Sequence, residues 1–162
     1  MDRMLDRLFP RPIDSTYRGS KPALWILGFV AASKITMGLN SVVNGVYVLT
    51  SADGVPLATY PAAAAQTIVA IFALWGWALF LFALLAVLVL ARYRSMTPLA
   101  FALLLAEHLG RKAILQFLPI IRSDTAPASW INAVLLALMV VGLVLSLWQR
   151  RAPGGATAGQ GQ

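Results

Sequence analysis

Four long stretches of this chain are almost wholly apolar: Ala23–Leu49, Ala62–Ala91, Pro98–Ile121 and Ser129–Trp148. A helix needs about 20 apolar residues to cross a hydrocarbon core of roughly 30 Å, and each stretch meets that length. The pattern predicts four membrane-spanning helices. Punctuation between them agrees. Tyr60-Pro61 and Thr97-Pro98 place proline where a helix begins, and Pro119 is expected to stop or kink the third span. Thr97 is expected to cap that span. Asp53-Gly54 and Pro56 mark a turn in the loop Thr50–Pro61, and Ser123–Ser129 reads as a helix-start connector. Trp130 and Trp148 stand at the two ends of the fourth stretch, as interfacial anchors do.

A shorter pattern precedes the spans. In MDRMLDRLF, Met1, Met4, Leu5, Leu8 and Phe9 share one helical face, opposite Asp2, Arg3, Asp6 and Arg7, until Pro10. That predicts a short amphipathic helix lying on the membrane surface. The expected division is therefore a cytoplasmic segment (1–22), a four-helix transmembrane domain (23–149) and a small, polar, disordered tail (150–162). The fold class expected is an all-α integral membrane protein, an antiparallel bundle of four transmembrane helices.

Composition sharpens this. The chain of 162 residues is 59% hydrophobic and 12% charged, more apolar surface than a soluble domain of this size can hide. Its formal charge of +7 would point to nucleic acid in a soluble protein. Here orientation explains it. Arg3, Arg7, Arg11, Arg18, Lys21, Arg92, Arg94, Arg150 and Arg151 all fall on one side of the four spans, and Arg122 alone falls on the other. Cytoplasmic loops carry the basic excess, so both termini are expected in the cytoplasm, with no nucleic-acid partner. The mixed charges of residues 1–20 do not make a cleaved signal peptide, so the first span is expected to insert itself. There is no cysteine, which removes thiol, disulfide and cysteine-metal chemistry. No HExxH, GxSxG or phosphate-cradling glycine loop occurs, so no catalytic or metal-ligating residue is assigned and no enzyme is expected.

The candidate chemistry lies in LAEHLGRKAILQ, Leu105–Gln116, inside the third span. Intramembrane charges are rare and usually face the bundle interior. Glu107 and Arg111 are four residues apart, as are His108 and Lys112, and Gln116 follows Lys112. At 1.5 Å per residue, Glu107 lies about 14 Å and Lys34 about 16 Å from the cytoplasmic ends of their spans, so a cross-helix ion pair is possible. In the first span Ser33, Lys34, Asn40, Ser41 and Asn44 fall within an arc of roughly 120°. The expected intramembrane polar layer is Lys34, Asn40, Asn44, Glu107, His108, Arg111, Lys112 and Gln116.

Glu107 is the single acid at that depth beside three cations. The excess can be met by deprotonation, by snorkelling or by an anionic partner such as a lipid head group. Three roles stay open for the layer: a structural lock, a site for an anionic lipid, lipophilic ligand or partner subunit, and proton or ion translocation. His108 could give haem one axial ligand, but a hydrogen bond inside the polar layer is its expected role.

The overall length, the long loop with Asp53-Gly54, the Arg92-Tyr93-Arg94 turn and Gly110-Arg111 in the third span resemble small four-helix bacterial inner-membrane proteins, distantly the DoxX-type group. That resemblance implies a bacterial inner-membrane location and a link to redox and quinone-associated systems. It carries no catalytic residue over. No cofactor is assigned, with haem and quinone left open. The function expected is that of a non-enzymatic accessory or scaffold subunit of a membrane assembly, with a membrane-protein partner or a second copy beside it. The alternative is a small carrier or lipophilic or anionic ligand-binding protein that works through the Lys34, Glu107 and Arg111 layer.

Overall fold

Proline and the first polar residues set the helix limits in this computed structural model, which describes residues 17, 19–122 and 128–148. The expected surface helix at 1–9, the connector at 123–127 and the tail at 150–162 lie outside the described residues. Four long helices form: α1 (Lys21–Val43), α2 (Ala62–Arg92), α3 (Thr97–Phe117) and α4 (Ala128–Leu147). No strand occurs among the described residues. Three of these helices, α1, α2 and α4, are long and apolar enough to cross a membrane. The remaining one, α3, has 21 residues but carries Glu107, Arg111 and Lys112.

Starts and stops have local causes. Pro22 sits in the first turn of α1, and Pro61 at φ −56° leads directly into α2. Where the sequence predicts helix to Leu49, α1 ends at Val43, because Asn44 leaves helical geometry at φ −120°. A three-residue helical turn, Gly45–Tyr47, and a wide π turn, Val48–Ala52, carry the chain over the bundle end. Gly54, at φ 69°, completes that turn, a backbone state that costs glycine nothing. In α3 the helix stops at Phe117 rather than Ile121. Pro119 disfavours helical geometry at the residue before it, and Leu118 sits at φ −124°, ψ 74°. Thr97 does not cap α3. A 3-10 turn, Arg94–Met96, runs straight into the helix, so the Thr97 hydroxyl points back and donates to the Arg94 carbonyl at 2.8 Å.

Lipid tails are as apolar as leucine, so helix contacts in a membrane rest on close packing of small residues. The most extensive contact here, α1 on α2, shows this. Gly28 lies by Leu90, Gly38 meets Gly76, and Gly45 lies by Val69. A Cβ on Gly38 would come within 2.7 Å of the Gly76 carbonyl oxygen and 2.9 Å of the Phe80 amide. Between α3 and α4, the Phe101 ring fills the place a side chain on Gly142 would take. The main core joins Leu27, Val30, Phe101, Leu104, Leu135 and Met139. A second cluster of Leu49, Val55 and Leu57 packs on Tyr60, Ile68, Val69 and Phe72, so the loop after α1 folds down as a cap. At the other end the Ser20 amide donates to the Leu145 carbonyl at 3.3 Å, which sets the start of α1 beside the end of α4. Tyr17 donates to the Ser20 carbonyl at 3.0 Å there, and burial pushes its phenol up to about 12.

Candidate functional site

The polar layer centres on Glu107. Lys34, 2% exposed, donates from Nζ to Glu107 Oε2 at 2.6 Å, joining α1 to α3. The other carboxylate oxygen, Oε1, lies 3.9 Å from Arg111 Nε one helical turn on. Both ion pairs among the described residues therefore end on the same carboxylate. Contact with Lys34 is a charge-assisted hydrogen bond, whereas 3.9 Å is beyond hydrogen-bonding distance.

Arg111 turns its other donors to groups that carry no negative charge. Its Nη2 donates to Asn132 Oδ1 on α4 at 3.2 Å and lies 3.5 Å from His108 Nδ1. The second contact is a hydrogen bond in the tautomer whose Nδ1 carries no proton, with the buried His108 ring accepting. The guanidinium carbon also lies 5.1 Å from the Trp75 ring centroid on α2, a cation–π distance. One side chain thus touches three helices. No buried side-chain nitrogen or oxygen among the described residues lacks a partner.

An open cleft of about 380 Å³ lies against this group, lined by Trp75, Ala106, Glu107, Gly110, Arg111, Ile114 and Leu115. Gly110 contributes bare backbone, with no heavy atom within 4 Å of where its Cβ would be. The lining is apolar except for the ion pair.

Of the eight layer residues expected, the structure gathers Lys34, Glu107, His108 and Arg111. Asn40 and Asn44 are exposed and bond to each other at 3.0 Å, and Lys112 and Gln116 are exposed on α3. Their places follow from depth. Counting 1.5 Å per residue along α1 and α3, Asn40, Asn44 and Gln116 lie about 28 Å or more from the helix starts, and Lys112 about 22 Å, near the far interface. Ser41 stays inside because its hydroxyl bonds the Met37 carbonyl at 2.9 Å. Asn132 and Trp75 belong to the site without having been assigned to it. The signal for Asn132 was a lone amide inside an apolar run.

Beyond the spans, burial pushes the Asp53 carboxyl above its ordinary range, while Arg122 and Arg111 pull it back. Among the described residues no three His, Cys, Asp or Glu side chains gather to hold a metal ion. No protein-family model matches this chain, and no curated protein or solved structure matches it.

Proposed function

We propose that this chain is a four-span bundle of antiparallel helices in a bacterial inner membrane. In this reading both termini are cytoplasmic and the protein is a non-enzymatic accessory subunit of a larger membrane assembly. Support for α3 as the fourth span comes from its charges being met from inside: Glu107 by Lys34, and Arg111 by Asn132, His108 and Trp75. Support for the antiparallel order comes from α1 meeting α2 in reverse sequence, Gly28 by Leu90 and Gly45 by Val69.

The observation that carries the subunit reading is the position of α3. Charged helices usually turn their polar side to the bundle interior. Here α3 packs on α4 and more lightly on α2, and lies across the bundle from α1, so the outer flank of the charged helix is left open. Leu109, Lys112, Ala113 and Gln116 are exposed along it. A partner helix on that flank would pack on Leu109 and Ala113 and meet the polar ends of Lys112 and Gln116 near the far interface. Purification in mild detergent, followed by cross-linking from a photoreactive residue at Leu109, tests this. A discrete adduct with another membrane protein, or with a second copy, is the expected result. Labelling of lipid and detergent alone overturns it.

A further inference from the structure

We propose that the cleft between α2 and α3 holds an anionic phospholipid of the surrounding bilayer, with its phosphate against the Arg111 guanidinium and an acyl chain along Gly110 and Ala106. The case begins with charge. Lys34 and Arg111 bring two positive charges to the layer and Glu107 brings one negative. The carboxylate is committed to Lys34 at 2.6 Å, and Arg111 stands 3.9 Å off its other oxygen. A guanidinium keeps its proton in any protein setting, so this charge cannot be removed by titration. Its close partners, Asn132 and His108, bring no negative charge. Asp53 acts on Arg111 from the loop, but it is shared with Arg122 and its burial disfavours the anion.

Shape agrees with charge. Arg111 is not sealed in, its side chain being 26% exposed, and it opens on the cleft of about 380 Å³. The Trp75 ring and Asn132 hold the guanidinium, so less rotamer freedom is lost when an anion arrives. Gly110 removes the side chain that would block the floor, and Ala106, Ile114 and Leu115 give the walls an acyl chain needs. Arginine matches phosphate with paired donors. At about 100° per residue, Lys112 and Gln116 are turned about 120–160° from Gly110, so the cleft opens away from these two side chains. The inference goes beyond the subunit reading and does not depend on it.

The test uses a variant in which Trp25, Trp77, Trp130 and Trp148, all exposed, are changed to Phe, leaving Trp75 as the reporter. In nanodiscs of phosphatidylcholine, Trp75 fluorescence is read as brominated phosphatidylglycerol or brominated phosphatidylcholine is added at equal mole fraction. The anionic lipid is expected to be enriched about fivefold over the zwitterionic one, the factor a single basic side chain contributes near a membrane. Gly110→Leu fills the cleft and keeps every charge, and Arg111→Gln removes the charge and keeps the cleft. Each should abolish the preference. Equal quenching by the two lipids, or a preference that survives both changes, overturns the proposal. Native mass spectrometry of the unaltered full chain gives an independent reading, because a phosphatidylglycerol adduct should be kept by the wild type and lost in Gly110→Leu. Adducts that are equal in the two proteins also overturn it.

Discussion

A carboxylate that serves two cations is worth more to the protein than either cation alone. Glu107 receives Lys34 at 2.6 Å and faces Arg111 at 3.9 Å, so Glu107→Ala would leave Lys34, 2% exposed, without an acid. An uncompensated buried charge costs about 3–5 kcal/mol. Glu107→Ala is therefore expected to lower the melting temperature in detergent most among Glu107→Ala, Lys34→Met and His108→Ala. Lys34→Met keeps the volume and leaves Glu107 beside Arg111, so its loss should be milder. The double change Lys34→Met with Glu107→Leu should recover stability over Glu107→Ala, because a buried ion pair is often replaced by apolar groups at little cost. If the double variant melts no higher than Glu107→Ala, the loss comes from packing and not from a stranded charge. This pair was legible in the sequence because depth along two helices is simple arithmetic. The place of Arg111 was not, since rotation about a helix axis decides whether a guanidinium meets Trp75, Asn132 or lipid, and spacing alone leaves that rotation free.

Helix contacts add a contrast that composition hides, since three glycines in three helices face quite different surroundings. A Cβ on Gly38 would meet Gly76 backbone at 2.7 Å, and backbone cannot swing aside. Gly38→Ala should force α1 off α2 and cost about 1–3 kcal/mol, as overpacking does. Gly110 has open space around it, so Gly110→Ala should be neutral or gain up to about 1 kcal/mol of helix propensity. Gly142 falls between the two, for the atoms a Cβ would strike belong to the Phe101 side chain. Gly142→Ala is expected to destabilise, and adding Phe101→Leu should restore part of the loss, whereas no single side-chain change should rescue Gly38→Ala. Thermal melts of the four variants in one detergent decide this, and equal losses at Gly38 and Gly110 would sink the account. Hydropathy located the four helices within a few residues at most ends. It ran α1 on to Leu49 because Val46, Tyr47, Val48 and Leu49 are apolar. Those residues in fact turn the chain, and Leu49 joins Val55 and Leu57 in the cap over the bundle end. Apolar character marks burial in lipid and burial under a loop alike.

For the molecule as a whole, charge is expected to set the direction in the membrane. Lys21, Arg92 and Arg94 lie at or beside the start of α1 and the end of α2, and the Ser20–Leu145 contact brings the end of α4 to the start of α1. In sequence, segments 1–20 and 149–162 add six more basic residues on that side of the helices, nine against Arg122 on the other. Basic loops resist transfer across the membrane, so that end should be cytoplasmic and the Asp53–Gly54 cap should face outward. These 162 residues contain no cysteine, so single cysteines introduced into them report without background. Ala58 and Ala91 are both exposed, one in the cap and one at the end of α2. In spheroplasts of a producing bacterium, an impermeant maleimide is expected to label Ala58→Cys directly and Ala91→Cys only after the membrane is opened. The opposite pattern would invert the molecule. Equal labelling of both before opening would place both sites on one side, and α2 would then not span the membrane. Reversing Lys21, Arg92 and Arg94 to Glu should shift part of the population to the inverted labelling pattern if these charges set the orientation. An unchanged pattern would leave the choice to the segments before and after the described helices.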